Sequence, residues 1–148
     1  MNLAFFLTID VAYLYDDFSL RQGLEKMHHH GYTAIPVLNR ENKYVGTVSE
    51  GDFLWYLVDV MKKRARNMDL KSMEDVMIRD IFALDKNPPV RITATMEELL
   101  IRAMNQNFVP VVDDTDTFVG IVTRRNIMNY FHEHSGEKAG ENTDAPSN

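Results

Sequence analysis

The chain carries two closely related stretches, IPVLNRENKYVGTVSEGDF at residues 35–53 and VPVVDDTDTFVGIVTRRNI at residues 109–127. They align over their full length without a gap, and a proline, three valines and a glycine recur at matched places. Within each copy, an apolar run, a polar turn and a second apolar run follow one another, which predicts a β-hairpin. A repeat of this kind indicates that the chain contains two copies of one structural unit.

Each predicted hairpin is flanked by predicted helices. The preceding helices begin with capping-box patterns, SLRQ from residue 19 and TMEE from residue 95, in which a hydroxyl is followed three residues later by Gln or Glu. The helices after the hairpins are expected to begin near Asp52 and Asn126, both good N-cap residues. An order of helix, strand, strand and helix, present twice, predicts an α+β fold with internal pseudo-two-fold symmetry.

The composition is that of an ordinary globular domain, with 148 residues, 45% hydrophobic, 26% charged and no cysteine. Without cysteine, disulfides and thiolate chemistry are excluded, and we expect a cytoplasmic protein. No apolar run approaches the ~20 residues that span a bilayer, so no membrane association is expected. The apolar opening MNLAFFLTI lacks the basic start of a signal peptide and is expected to form an edge strand or an interface segment. A net charge of −6 argues against DNA binding, which requires phosphate neutralisation.

The sequence divides into four predicted segments. Residues 1–66 form the first repeat, and residues 67–84 form a linker with a short helix around residues 72–78. Residues 85–134 form the second repeat. The remaining stretch, SGEKAGENTDAPSN at residues 135–148, has no apolar side chain larger than alanine and is predicted to be disordered.

The duplicated pattern, apolar residue–Pro–Val followed by Gly, a hydroxyl and then Asp or Asn, resembles a tandem pair of CBS domains over roughly residues 10–133. GYTAIPVL in the first copy and FVGIVTRR in the second are similar to small stand-alone bacterial CBS-pair proteins that bind cyclic di-AMP. The resemblance implies two pseudo-symmetric β-α-β-β-α repeats with clefts between them. It also implies adenosine-containing ligands, such as AMP, ADP or ATP, in those clefts, and association of two chains into a disc-shaped homodimer.

Residues of the first repeat suit the base and the sugar of an adenine nucleotide. The candidates for the base lie in the turn that enters the first hairpin strand: Tyr32, Thr33, Ala34 and Pro36. Ala34 is small and leaves room for a flat base beside the backbone. Ser49 and Asp52 stand three residues apart across a strand-to-helix turn, and the Asp52 carboxylate can accept hydrogen bonds from two ribose hydroxyls. The resemblance adds Ala12 to the ligand-binding residues.

Residues of the second repeat suit the phosphate. Arg124 and Arg125 stand at a helix N-terminus, where the dipole and free N–H groups already favour an anion. Guanidinium groups bind phosphate bidentately, and Thr123 and Asn126 complete the predicted site. An alternative stays open, in which the hydroxyl, Asp and Asn residues only cap helices and the arginines are solvated surface charges. Tyr32 could likewise be a core or interface aromatic.

The sequence therefore predicts a non-enzymatic sensor that binds AMP, ATP or cyclic di-AMP, needs no cofactor and signals to an effector protein that the sequence does not identify. It contains no GxSxG, P-loop or GxGxxG motif, so no catalytic residues are assigned. No metal site is expected, because the three histidines at residues 28–30 fan out around a helix by ~100° each. The alternatives are a ligand-free dimerisation scaffold, or a sensor of S-adenosylmethionine or NAD(H).

Overall fold

The computed structural model describes residue 3, residues 7–82 and residues 87–141, with side chains up to residue 134. The first repeat contains β1 (Leu14–Tyr15), α1 (Leu20–His30), β2 (Ala34–Leu38), β3 (Tyr44–Ser49) and α2 (Glu50–Ala65). The second repeat contains β4 (Val90–Arg91), α3 (Met96–Asn105), β5 (Phe108–Val112), β6 (Phe118–Thr123) and α4 (Arg124–Glu141). The predicted α+β fold of two β-α-β-β-α repeats is confirmed.

Each repeat forms its own three-stranded sheet, and the two sheets have the same topology. β1 is parallel to β2 and β2 is antiparallel to β3, as β4 is to β5 and β5 to β6. The registers also match, since Ile35 lies opposite Val48 and Val109 lies opposite Val122. Both hairpins carry a register shift at the same place near the turn. The internal repeat of the sequence is therefore a repeat of backbone geometry.

The first helix of each repeat begins where its capping residue predicts. The Ser19 hydroxyl accepts a hydrogen bond from the Gln22 N–H at 3.1 Å, and the Gln22 side chain accepts one from the Ser19 N–H at 2.8 Å. The Thr95 hydroxyl accepts a hydrogen bond from the Glu98 N–H at 3.1 Å. Helix α1 ends at Gly31, whose φ of 67° lies in the left-handed region that glycine adopts without steric cost.

The second helix of each repeat begins earlier than the sequence predicts. Helix α2 begins at Glu50 and α4 at Arg124, rather than near Asp52 and Asn126. The cause is that Ser49 caps α2 while Asp52, the third helical residue, returns its carboxylate to the Ser49 N–H at 2.7 Å. The prediction named the right residues at the start of α2, but Ser49 rather than Asp52 is the N-cap.

Two predicted segments differ from the structure. The short helix expected around residues 72–78 is displaced to a 3-10 helix at Ile78–Asp80, because the preceding chain pairs with Ser19 through a backbone bridge at Met77. Helix α4 continues through residues 135–141 of the predicted disordered tail, where the sequence EKA favours helix and each added residue gains a hydrogen bond. Residues 142–148, the rest of that tail, lie outside the described residues.

Each repeat has a separate hydrophobic core under its sheet. The side chains at the centre of the first core are Leu14, Leu20, Met27, Ile35, Val37, Val48, Phe53, Val76 and Ile78. Those at the centre of the second are Leu3, Val90, Ala94, Leu99, Ala103, Val109, Val111, Val122 and Ile127. Leu3 belongs to the second core although it precedes β1 of the first repeat, so the N-terminal segment crosses from one repeat to the other.

The segments that precede the repeats pack on the opposite repeat. Thr8 pairs with β6, donating to the Ile121 carbonyl at 2.8 Å and accepting from the Ile121 N–H at 3.1 Å. A Cβ on Gly120 would lie 2.6 Å from the Thr8 carbonyl oxygen, and a Cβ on Gly46 would clash with the ring of Phe82. The glycine shared by both copies therefore leaves room for a crossing segment, and the two repeats interlock.

The hairpin turns of the two repeats also touch. Lys43 forms a backbone bridge with Thr117, and the Phe118 N–H donates to the Asn42 carbonyl at 2.8 Å. The Lys43 ammonium donates a hydrogen bond to the Thr115 carbonyl. The repeats are thus joined at the turn ends of their hairpins, which leaves the opposite strand ends for a site.

Candidate functional site

A cavity of about 370 Å³ lies at the opposite strand ends, between the two repeats. The residues that line it are Thr8, Val11, Gly31, Tyr32, Thr33, Ala34, Pro36, Asn107, Phe108, Ile121 and Thr123. Both repeats and the crossing N-terminal segment contribute to this cleft. Its volume falls within the range of about 300–1,000 Å³ that is typical of small-molecule sites.

The apolar part of the cleft comes mainly from the beginnings of the two central strands. Ala34 begins β2 and Phe108 begins β5, and the internal repeat relates these two positions to each other. We call the part of the lining that Ala34 and Phe108 form the apolar slot. Pro36, Ile121 and Val11 extend that apolar lining. Such a surface suits a planar aromatic ligand.

The polar part of the cleft is organised around Asn126. The Asn126 side-chain oxygen accepts hydrogen bonds from the Thr123 N–H at 2.9 Å and from the Thr8 hydroxyl at 3.2 Å. The Asn126 N–H in turn donates to the Thr123 hydroxyl at 3.0 Å. Asn126 therefore stands behind the cleft wall and positions the two threonines that line it.

The turn between α1 and β2 is held at both ends. The Tyr32 N–H donates to the Met27 carbonyl at 3.1 Å, and the Glu50 N–H donates to the Thr33 carbonyl at 2.9 Å. The half-buried Tyr32 ring packs against the first core, and its centroid lies 5.3 Å from that of the His30 ring. The cleft wall is therefore attached directly to the end of α1 and to the start of α2.

The cleft brings together a subset of the site residues predicted from the sequence, namely Tyr32, Thr33, Ala34, Pro36 and Thr123. Ser49 and Asp52 form the capping box of α2 and are not part of the cleft lining. Ala12 packs against the first core next to Val11, which does line the cleft. A direct ligand contact for Ala12, Ser49 and Asp52 stays a prediction.

The two arginines lie at the first turn of α4, directly after the cleft residue Thr123, and both are exposed. The Arg124 guanidinium donates through Nε to the Ala103 carbonyl in α3 at 2.9 Å, so this side chain is directed toward α3. Phosphate binding by Arg124 and Arg125 stays a prediction.

Sequence reasoning missed several lining residues: Thr8, Val11, Gly31, Asn107, Phe108 and Ile121. The internal repeat contained a signal for two of them, because Asn107 and Phe108 occupy the positions that Thr33 and Ala34 occupy in the first copy. The residues of the N-terminal segment carried no such signal. They reach the cleft only because their segment crosses to the second repeat.

Two further properties concern the described residues alone. In that part of the chain, no helix combines the length and the apolar character needed to cross a membrane. No three His, Asp or Glu side chains of the same part are arranged to hold a metal ion.

The fold agrees with the family comparison. A family model for the CBS domain matches residues 6–59 and again residues 73–133, so the chain belongs to the CBS-domain family. It is 28% identical over 124 residues to "Cyclic di-AMP receptor B" of Bacillus subtilis (strain 168), a match that covers 84% of this chain and 80% of that protein. The predicted tandem CBS pair is therefore confirmed.

Two solved structures show the same arrangement. The structure of CbpB in complex with c-di-AMP matches with a TM-score of 0.79 and 24% identity, covering 95% of this chain and 91% of that one. The structure of Listeria monocytogenes CbpB in complex with c-di-AMP matches with a TM-score of 0.74 and 26% identity, covering 90% and 97%. The likeness extends over both repeats of each protein.

Proposed function

We propose that this protein is a non-enzymatic sensor that binds an adenine nucleotide in the cleft between its two CBS repeats. The observation that carries the proposal is the cleft itself, which has an apolar slot at Ala34 and Phe108 and polar groups at Thr33 and Thr123. Cyclic di-AMP is the first ligand to test, because a cyclic di-AMP receptor is 28% identical over 84% of this chain. AMP and ATP contain the same base and sugar and are tested beside it.

The cleft can satisfy each part of such a ligand. The adenine ring packs beside Ala34 and against the Phe108 ring, since aromatic surfaces favour offset stacking. The sugar hydroxyls bond to the threonine hydroxyls and to main-chain groups of the cleft. The phosphate lies near the start of α4, where the helix dipole favours an anion and where Arg125 is exposed.

The nucleotide state is passed on through a homodimer to an effector protein. Large apolar side chains are exposed on the helices, among them Leu54 at 61% and Met128 at 68%. The internal repeat relates Leu54 to Met128 and Leu57 to Phe131, so each repeat exposes apolar side chains at equivalent positions. A two-fold dimer brings the same patch of each subunit together. The exposed apolar side chains of α2 and α4 suit such a contact, because they occupy equivalent positions in the two repeats.

Isothermal titration calorimetry with cyclic di-AMP, AMP and ATP tests the cleft. The variant Ala34→Leu fills the apolar slot and is expected to weaken binding at least tenfold. The matched control is Ala65→Leu, at the exposed end of α2, which should bind like the wild type. Equal affinity of Ala34→Leu and wild type would contradict the proposed base position.

A wild-type protein that binds none of the three nucleotides would favour the scaffold function. A thermal shift with NADH or S-adenosylmethionine instead would favour the other class of sensor, because a ligand of the native state raises the unfolding temperature.

Phosphate binding is tested separately. Arg125→Ala is expected to weaken nucleotide binding tenfold or more, since charge-assisted hydrogen bonds contribute about 1.5–3 kcal/mol. The control is Arg64→Ala, which removes an exposed arginine from the far end of α2. If both variants bind with wild-type affinity, the phosphate is held by the backbone at the start of α4 or lies elsewhere.

A further inference from the structure

A further cavity, of about 480 Å³, lies at the turn ends of the two hairpins, and we call it the turn cavity. The residues that line it are Lys43, Tyr44, Val45, Pro89, Val112, Thr115 and Asp116. The first three belong to the first repeat and the other four to the second. None of them lines the cleft between the repeats. The turn cavity is therefore a separate space, large enough for a small molecule that touches both repeats.

The two halves of the molecule differ at this place. β1 pairs with β2 in the same register as β4 pairs with β5, so the residues that precede these short strands, Tyr13 and Pro89, occupy equivalent positions. Tyr44 and Phe118 are likewise equivalent, because each pairs with the last residue of the preceding strand. In one half, the Tyr13 ring packs near Phe118, with 6.5 Å between the ring centroids. In the other half, the smaller Pro89 and Tyr44 line the turn cavity, so this half lacks an aromatic ring.

The walls of the turn cavity suit such a ring. The aliphatic side chains of the lining are Val45, Pro89 and Val112. Tyr44 adds an aromatic side chain whose hydroxyl is already bonded, since it donates to the Asn87 carbonyl at 2.7 Å and lies 2.7 Å from the Thr47 hydroxyl. Burial raises the pKa of the Tyr44 hydroxyl, which therefore stays neutral. What Tyr44 offers a ligand is consequently its ring surface.

Lys43 adds a positive charge to this lining. Its ammonium group donates to the Thr115 carbonyl and lies 3.5 Å from the Thr117 hydroxyl, and both of these partners are neutral. In the described part of the chain, no carboxylate forms an ion pair with it. The carboxylate of the lining, Asp116, is instead paired with Arg91 at 3.3 Å. Because an ammonium group has three N–H donors, Lys43 keeps one for an anion.

We propose that the turn cavity binds a small aromatic carboxylate. The ring of this ligand occupies the place that Tyr13 fills in the other half and packs beside Pro89 and the Tyr44 ring. The carboxylate accepts a charge-assisted hydrogen bond from the Lys43 ammonium group. Since both repeats line the cavity, the ligand stabilises their native arrangement. The proposal does not depend on nucleotide binding, because the turn cavity and the cleft share no lining residue.

An NMR titration of the full chain, followed through its backbone amide signals, tests this site. The probe is para-hydroxyphenylacetate, which is the tyrosine side chain with a carboxylate attached to it. We expect saturable shifts of the amide signals of Lys43, Val45, Val112 and Thr115. The uncharged analogue para-cresol should bind at least tenfold more weakly, because it cannot accept the charge-assisted hydrogen bond. Acetate, which carries the charge without the ring, should cause no saturable shift at the same concentration.

Two variants locate the ligand. Lys43→Gln keeps a donor for the Thr115 carbonyl but loses the charge, so it should bind para-hydroxyphenylacetate at least tenfold more weakly. The matched control is Lys62→Gln, at an exposed position of α2, which should bind like the wild type. Pro89→Tyr places a ring at the position equivalent to Tyr13 and should abolish the shifts. If Pro89→Tyr does not fold, the comparison of the two lysine variants decides.

Several outcomes would overturn the proposal. It fails if the wild type shows no saturable shifts with para-hydroxyphenylacetate, or if acetate or para-cresol binds with equal affinity. It also fails if Lys43→Gln binds like the wild type, or if a folded Pro89→Tyr variant keeps the shifts. Shifts confined to the cleft residues Thr33 and Thr123 would place the ligand in the cleft and would likewise contradict it.

Discussion

Replacing Gly120 by alanine tests the interlock between the N-terminal segment and the second repeat. An added Cβ would lie 2.6 Å from the Thr8 carbonyl oxygen and 3.4 Å from the Ile9 Cα. Both neighbours are backbone atoms, so no side-chain rotation can relieve the clash. The N-terminal segment must therefore move away from β6.

The cost of that movement follows from the contacts that are lost. Thr8 and Ile121 exchange two backbone hydrogen bonds, at 2.8 and 3.1 Å. At about 0.5–1.5 kcal/mol each, their loss lowers the free energy of unfolding by about 1–3 kcal/mol. Because Thr8 also lines the cleft, nucleotide binding should weaken in the same variant.

Urea denaturation measures the change, with Gly51→Ala as the control. Gly51 lies exposed in the first turn of α2, and a Cβ there would meet only the Ser49 hydroxyl at 3.5 Å. Alanine at a helical position is preferred to glycine by up to about 1 kcal/mol, so the control should be as stable as the wild type or more stable. The interlock would be refuted if Gly120→Ala unfolded at the wild-type urea concentration.

Three further predictions concern the core, a helix cap and an ion pair. Ile35→Ala should lower the free energy of unfolding by about 2–5 kcal/mol in urea, because Ile35 is fully buried, and a smaller loss would contradict its place in the first core. Ser49→Ala should cost about 0.5–2 kcal/mol in thermal unfolding, whereas Ser49→Thr, which keeps the capping hydroxyl, should cost less. The Arg40 guanidinium, 2.8 Å from Asp17, lowers the pKa of that carboxyl below its ordinary value of 3.8. The pair therefore stabilises the fold above about pH 4 and loses that contribution as the pH falls through the lowered pKa. Wild type and Arg40→Gln should accordingly differ in melting temperature at pH 6 and converge at low pH, and an equal difference at both would contradict this.

The duplicated parts of the fold were predictable from local sequence. The hairpins follow from two apolar runs around a polar turn, and the caps at Ser19 and Thr95 follow from a four-residue pattern. Each of these signals involves residues that are close in the chain and interact directly. Which residue caps α2 was less predictable, because Ser49 and Asp52 are both good N-cap residues. Ser49 takes this position because β3 ends there and the helix follows directly.

The crossing segments could not be predicted in this way. Thr8 pairs with a strand of the second repeat, and Phe82 packs on a glycine of the first. The chain near Met77 likewise forms a bridge with Ser19 in place of a helix. In each case, the partner is distant in the sequence, and a tertiary contact overrides the local preference.

The candidate site likewise contains residues that the local sequence predicts and residues that it does not. Tyr32 and Ala34 were found because they belong to the turn before a predicted strand, whereas Phe108 was missed although it stands at the repeat-related position of Ala34. The two copies share their prolines and glycines, whereas the cleft is lined by this pair, which differs between the copies. The direction of Arg124 was also beyond the sequence, because its partner is the Ala103 carbonyl on another helix.

The crossing of the N-terminal segment has a consequence for the protein during its synthesis. The hydrogen bond between Thr8 and Asn126 joins residues 118 positions apart. At a translation rate of roughly 5–20 residues per second, the segment waits roughly 6–24 s on the ribosome before its partner exists. The first repeat can assemble its core in that time, while the apolar stretch ahead of it remains available to chaperones or to neighbouring chains. The segment around Thr8 is therefore made before the strand and helix that it packs against, and it reaches its final position only after they exist.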